Sequence, residues 1–371
     1  MGSIAGDKTA ATRMPALAGK LGLLHEYIEL RRRRPLLLFE ITTRCNLNCL
    51  FCYSVWKNEK PYPRDELPTE QITPMLMKAL RESGGSHVTF TGGEPLLRPD
   101  LEEIIAHLAQ NGITSTLITN GTLLTEDRAR ALVKAGVGLI EMQLLAADRR
   151  VHNELAREDA FDRAVLGMAD ARLAGARVIP VFVATRKNLA NWEETVNLCL
   201  AAGVDGLLFN RFNPGGEGAR HVQELLPSAE DLKPALRVAD RIVQEHQFPI
   251  GVPVPIPPCT IDHSAYPHLT FNGCLAGTAN AYWTIDPTGN VRACNHSPTT
   301  FGNVRQEHFR EIISRKRTGS WVSSVAQVCR GCRHVRKCRG GCKAAAQVCC
   351  GSLEECDPFV RNSRTFVEAK P

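Results

Sequence analysis

The chain has 371 residues, with 45 basic and 39 acidic side chains, 43% hydrophobic and 23% charged residues. That length suggests two or three domains with enough chain for a large core, and the composition excludes a fibrous, collagen-like or wholly disordered protein. A formal net charge of +6 is mild and does not by itself call for nucleic acid or a membrane. The anomaly is the 14 cysteines, too many for an ordinary cytosolic enzyme and too dilute for a disulfide-stapled secreted scaffold. Met1–Leu24 is interrupted by Lys8, Arg13 and Lys20 and has no signal-like apolar region. Apolar runs such as Leu36–Phe39 fall far short of the ~20 residues a membrane span needs. A cytoplasmic protein is expected, and there reduced cysteines point to metal ligands or catalytic groups.

Leu21–Arg34 reads as a short helix ended by Pro35, with Arg31–Arg34 as its solvated basic end. From Leu36 to about Pro214, strand and helix patterns alternate. The strands are Leu36–Thr42, His87–Thr91, Thr114–Thr119, Gly138–Leu144, Val178–Val183 and Gly206–Phe212. Asn111-Gly112, Ala135-Gly136, Ala174-Gly175 and Ala202-Gly203 each close a helix just before a strand. Such alternation predicts right-handed βαβ units on a parallel sheet, with Pro180 removing one ladder donor from the fifth strand.

Beyond Pro214 come a Gly-rich charged linker (Gly215–Glu224), a helix (Ala229–His246) and a Pro-rich crossing (Phe248–Pro258). A cysteine-dense region then contains a hairpin, Tyr282–Ile285 and Val291–Cys294 around the turn Asp286–Asn290. The expected organisation is an N-terminal extension (1–35), an α/β unit (36–225), a bridging segment (226–258) and a cysteine-rich unit (259–371).

Cys45, Cys49 and Cys52 follow the first strand in one short loop, in C-x3-C-x2-C spacing. Three thiolates are the wrong number for a closed tetrahedral zinc site. On a [4Fe–4S] cube, three ligands leave one iron open to a substrate or cofactor. Such a loop also lies at the C-terminal strand end, where βα folds place their chemistry. The second strand ends in Thr91-Gly92-Gly93-Glu94-Pro95, whose glycines permit close backbone approach and whose carboxylate can bind an ammonium.

With Phe51 before the last cysteine and Gly92-Gly93-Glu94-Pro95 one strand later, the chain resembles the radical S-adenosylmethionine (SAM) enzymes. That resemblance implies a partial (β/α)6 TIM-like barrel and a SAM-binding cluster on Cys45, Cys49 and Cys52. It also implies a 5′-deoxyadenosyl radical that abstracts a substrate hydrogen. It assigns Phe51, Gly92, Gly93 and Glu94 to SAM, with Asn120 and Arg157 as further contacts. Gln143 stands in Gln143-Leu144-Leu145-Ala146, where relatives carry Ser-Leu-Asp-Gly, and is the expected replacement for the usual serine.

Cys274-x14-Gly289-x4-Cys294, then Cys329-x2-Cys332-x5-Cys338-x3-Cys342 and Cys356, resemble the seven-cysteine SPASM domain. By that pattern Cys329, Cys332, Cys338 and Cys356 hold an outer auxiliary [4Fe–4S] cluster. Cys274, Cys294 and Cys342 hold an inner one, with Cys259 as the candidate eighth ligand and an open iron, Cys349 or Cys350 as the alternatives. Zinc is the competing occupant of C-x2-C pairs. Cys199 reads as a core residue. Arg330, Arg333, Arg336, Lys337, Arg339 and Lys343 would offset the charge of the outer cluster or dock a flavodoxin- or ferredoxin-type electron donor.

Three clusters and SAM imply an oxidoreductase that oxidises or crosslinks a peptide side chain. The alternatives are oxidation or decarboxylation of a small molecule or tetrapyrrole, and a non-catalytic iron–sulfur protein. Sulfatase-maturing relatives carry aspartate after the cysteine matching Cys294; Asn295 here argues against formylglycine formation. With only the short stretch before Leu36, a peptide substrate implies a separate leader-binding protein. His296, Asn210 and Arg211 are candidate substrate contacts. Neither membrane nor nucleic acid is an expected partner.

Overall fold

The computed structural model describes residues 36–57, 66–274, 276–277 and 282–363. The expected helix Leu21–Arg34 lies outside them. Six strands, β1 (Leu36–Thr42), β2 (His87–Gly92), β3 (Thr114–Thr119), β4 (Val137–Gln143), β5 (Val178–Ala184) and β6 (Leu207–Arg211), pair in parallel in chain order. This is the parallel sheet that the alternating pattern predicts and the partial barrel that the resemblance implies. Leu37, Phe39 and Ile41 of β1, Val88 and Phe90 of β2 and Leu117 of β3 are fully buried. Side chains of that size stabilise the fold by roughly 1.5–3 kcal/mol each when removed from water.

Helix Leu101–Gln110 buries Leu101, Ile104, Ile105 and Leu108, the stripe its periodicity predicts. Gly112, Gly136, Gly175 and Gly203 all have positive φ, so each helix-closing glycine supplies the left-handed turn back into the sheet. Pro180 is tolerated because pairing of β5 with β6 begins at Val181, while Val178 next to it bonds Asp205.

The region after β6 differs from its reading as linker and crossing. Gly216–His221 forms a short 3₁₀ turn that packs on the first cysteine loop, with Gly218 N–H donating to Cys52 O at 2.9 Å. A Cβ at Gly216 would meet Ser54 O at 2.4 Å, so its glycine serves close packing rather than flexibility. Helix Ala229–His246 lies on the barrel, where Trp192 Nε1 donates to Ala235 O at 3.0 Å. The proline-flanked Ile250–Val252 becomes β7 beside β6, followed by β8 (Thr270–Phe271). Strands this short carry no readable period-2 signal.

The hairpin forms where expected, as β9 (Tyr282–Ile285) and β10 (Asn290–Arg292), with β11 (Thr300–Asn303) beyond it. Asp286 Oδ1 accepts from the amides of Thr288 and Asn290, which shapes the turn. β9 pairs in parallel with β1, so the cysteine-rich region extends the barrel's own sheet. Among the described residues, no helix is long and apolar enough to cross a membrane.

A buried ion pair locks this junction: Arg292 of β10 donates to Glu40 of β1, and both side chains are 1% exposed. Arg292 Nη1 also donates to Asn295 O and Ser297 O, each at 3.1 Å, and so holds the loop after Cys294. Arg292→Met leaves Glu40 buried without its cation, and a loss of about 3–5 kcal/mol in stability is expected. Anaerobic chemical denaturation should show the lowered midpoint. Glu40→Gln in the same chain should restore part of it.

Candidate functional site

The first cysteine loop is positioned by a backbone contact between the ends of β1 and β2. Gly93 N–H donates to Thr42 O, and Glu94 N–H to Arg44 O, each at 2.8 Å. A Cβ on Gly92 would lie 2.4 Å from Thr42 O, and one on Gly93 only 1.9 Å from Arg44 O. Gly92 also has φ 135°, a region that side chains disfavour. The glycine pair therefore admits the cysteine loop itself, a role the sequence reading assigned to cofactor approach.

Glu94 is fully buried at the centre of a network. Its Oε1 accepts from Thr119 Oγ1 (2.7 Å) and Leu96 N (3.0 Å), and its Oε2 from Asn120 N (2.8 Å). A carboxylate oxygen accepts two bonds, so Oε2 retains acceptor capacity for a ligand ammonium, and the donor set fits SAM. Burial raises the Glu94 carboxyl above its ordinary range, against the pull of these donors. Asn120 Nδ2 donates to Asn46 Oδ1 (2.9 Å), and Asn46 Nδ2 to Thr122 Oγ1 (2.8 Å). Asn46, inside the cysteine loop, and Thr119 and Thr122 thus tie three strand ends together. Sequence reasoning missed all three, although Asn46 sits within the Cys45–Cys49 spacing.

Cys49 is buried, while Cys45 and Cys52 are partly exposed. Burial, reinforced by Cys52 and Cys45, pushes the Cys49 thiol up to about 12. Without metal it is protonated, and ligation must expel that proton. Gln143 Nε2, from the end of β4, donates to Cys49 Sγ at 3.8 Å, which brings the candidate SAM contact to the cysteine loop. Phe51 is buried in the core beside it. Arg157 stands farther out, bonded to Glu217 (3.1 Å) and His221 (2.9 Å), and links the end of helix Arg149–Ala156 to the turn after β6.

Tyr53 follows Cys52 and stacks on His296 with centroids 4.0 Å apart and planes at 15°. The Tyr53 hydroxyl bonds the side chains of Thr91 and Asn295. His296 Nδ1 lies 3.2 Å from Asn213 Nδ2, which also donates to Cys342 Sγ at 3.1 Å. The loops of Cys52 and Cys294 therefore meet face to face inside the barrel. Of the candidate substrate contacts, His296 lies between these two loops, whereas Arg211 is 1% exposed, and its donors go to Asp357 (2.5 Å), Pro255 O (2.6 Å) and Phe212 O (3.4 Å). It is a structural cation, because its strand position faces away from the lumen.

The remaining thiols form two groups. Burial raises Cys294 and Cys342, and Cys274 adds to both. Cys342 caps helix Lys343–Cys350, with Ala345 N–H donating to its Sγ at 3.4 Å, and His296 N–H donates to Cys294 Sγ at 3.4 Å. Amide donors of this kind suit an anionic cluster. In the second group, burial and then Cys338, Cys259 and Cys332 raise Cys329, and Cys356 responds to Cys329 and Cys259. Burial and then Cys338 and Cys332 raise the Cys259 thiol, so its nearest charged neighbours belong to the outer four. Asp357 joins the groups, accepting from Cys342 N–H at 2.8 Å directly after Cys356.

Cys199 is fully buried in the core, as expected, and Cys349 is exposed. Of the six basic residues, Arg330, Arg333, Arg336 and Lys337 are exposed. Lys343 is 4% exposed, with Nζ donating to Val322 O and Ser324 O at 2.7 Å, and burial lowers it to about 8. Arg339 donates to Cys274 O at 3.2 Å. Both spend their donors on backbone carbonyls, and Lys343 is withdrawn from the surface.

Residues 39–199 match the model of the radical SAM superfamily, and residues 274–339 that of SPASM, an iron–sulfur cluster-binding domain. The fold is similar to the crystal structure of Streptococcus suis SuiB bound to precursor peptide SuiA. That match has TM-score 0.70 and 18% identity, and covers 96% of this chain and 82% of that one. It is also similar to native anSMEcpe with bound AdoMet (TM-score 0.68, 18% identity, 90% and 96% covered) and to anSMEcpe with AdoMet and the Kp18Cys peptide (0.67, 17%, 90% and 96%).

Two outcomes test this geometry. Gly93→Ala pushes a methyl group into Arg44 O, and anaerobically reconstituted protein should lose about four of about twelve irons, three cubes of four. Full iron loading would contradict the steric reading. Cys259→Ser should leave the electron paramagnetic resonance signal of the inner cluster unchanged and perturb only that of the outer one.

Proposed function

The chain belongs to the radical SAM superfamily and carries a SPASM domain, and from that premise we propose that it oxidises or crosslinks a side chain of a ribosomally made peptide. It is an enzyme that binds SAM, a [4Fe–4S] cluster in the barrel and auxiliary iron–sulfur clusters in the SPASM region. We assign the barrel cluster to Cys45, Cys49 and Cys52, and SAM to the strand ends carrying Gly92, Gly93, Glu94, Asn120 and Gln143. When bound, that pair supplies hydrogen-atom abstraction by a 5′-deoxyadenosyl radical.

The observation that carries the proposal is the contact of Tyr53 with His296 and Asn295, which brings the SAM-cluster loop against the inner auxiliary loop. A substrate lying there is within reach of both the hydrogen-abstracting centre and a redox outlet. Oxidative crosslinking fits such a pairing. With SAM and the clusters bound, one hydrogen atom would leave to the adenosyl carbon, and a second would leave as a proton to solvent and an electron to the inner auxiliary cluster. Buried Glu40 and the half-buried, stacked Tyr53 and His296 narrow the access of water to this region, as a radical intermediate requires.

Peptide as the substrate class is supported by SuiB and anSMEcpe, structural neighbours whose complexes contain peptides. Formylglycine formation is disfavoured, because Asn295 offers a carboxamide where a carboxylate base is needed, and its side chain is engaged by Tyr53. The exposed Arg330, Arg333, Arg336 and Lys337 favour an acidic electron donor such as flavodoxin or ferredoxin.

Anaerobic reduction of the iron-loaded protein with SAM should yield 5′-deoxyadenosine. Its absence would end the radical reading. Addition of a precursor peptide encoded beside the gene should give a product lighter by two hydrogen atoms in mass spectrometry. A tetrapyrrole or small molecule oxidised in its place would redirect the substrate assignment.

A further inference from the structure

Glu141 lies on β4 two residues before Gln143, so both side chains share one face of the strand. The contact of Gln143 with Cys49 identifies that face as the lumen. Ile140 and Met142 point the opposite way into the core. In register with Glu141 stand Ile118 of β3 and Ile179 of β5, and above Ile179 lies Val181, the partner of Gln143. At about 3.3 Å per residue, Glu141 sits about 7 Å deeper than Gln143. Farther up, Asn210 pairs in register with Val183, and its Oδ1 is buried without a hydrogen-bond partner among the described residues.

The other acids of this interior have partners, although Glu40 Oε1 has none among the described residues. Glu40 has Arg292, and Glu94 has three donors. Glu141 has neither an ion pair nor a hydrogen bond among the described residues, and burial alone raises it to about 7. A half-buried carboxylate between two isoleucines, with no counter-charge of its own, is placed to receive a ligand cation.

We propose that Glu141 anchors the cationic end of a lysine or arginine side chain of the substrate, whose alkyl stem lies along Ile118, Ile179 and Val181. A long aliphatic side chain held by its charged end places its carbon–hydrogen bonds at the level of Gln143 and Cys49. Glu141 is in this sense a specificity-determining residue, and the buried amide of Asn210 is the polar group nearer the mouth. The inference rests on the peptide reading above.

Equilibrium binding to the iron-loaded, SAM-bound protein tests it, with N-acetyl-lysine methylamide against its neutral isostere N-acetyl-norleucine methylamide. Wild type should favour the lysine probe by about tenfold or more, the scale of one desolvated charge pair. Glu141→Gln should reduce that preference to near unity while iron content and the circular dichroism spectrum stay unchanged. Glu141→Asp, which keeps the charge one methylene back, should retain a preference for the cation. Infrared difference spectra should show the Glu141 carboxyl ionising as the lysine probe binds. No preference in wild type, or the same preference in Glu141→Gln, overturns the proposal. If a precursor peptide is oxidised equally well by Glu141→Gln, the cation site fails and the peptide reading stands. If no peptide reacts but the lysine probe binds through Glu141, the reverse holds.

Discussion

Gly92 and Gly93 let the backbone of β2 lie against Thr42–Arg44 at distances no side chain allows. Their amide and carbonyl contacts aim the cysteine loop back over the barrel mouth. Glu94, the next residue, then falls between Thr119, Asn120 and Leu96, so one close approach positions both the thiols and the carboxylate. The turn after β6 closes on the same loop from the other side, through Gly218 and Cys52. Substrate chemistry at this mouth requires a loop held on both flanks, because misplacement by an ångström costs much of the rate.

Two buried ion pairs join the cysteine-rich region to this frame. Glu40–Arg292 links β1 to the hairpin strand before Cys294, and Arg211–Asp357 links β6 to Cys342 and Cys356. Such pairs add little net stability, since desolvation offsets their attraction. Their geometry is nevertheless demanding, and a wrong register would strand a charge in the core. The inner auxiliary thiols are consequently held in fixed relation to the barrel lumen, with Tyr53 and His296 filling the space between the two loops.

Local physics was legible in the chain wherever one signal dominated. The six parallel strands and their closing glycines follow from hydrophobic periodicity and from the left-handed turns that glycine permits. The Asp286–Asn290 turn follows from side chain to backbone bonding within five residues. Arg211 misled, because a cation at a strand's C-terminal end reads as functional until its partner, Asp357, is known. Gly215–Glu224 misled for a related reason: its glycines look like flexibility, and they prove to be contact points against Tyr53 and Ser54.

By itself the sequence determined the βα alternation, the C-x3-C-x2-C loop with Gly92-Gly93-Glu94-Pro95 one strand later, and the presence of two further sets of thiols. Those features are encoded in residues close together along the chain, where spacing and residue type can be read directly. Only the tertiary structure decided that Cys259 has outer thiols as its nearest charged neighbours, that the hairpin continues the barrel sheet, and that Glu141 faces the lumen without a counter-charge. Each of these depends on contacts between residues far apart in the chain. Which partner meets which is set there by burial and packing of the whole, and no local pattern records it.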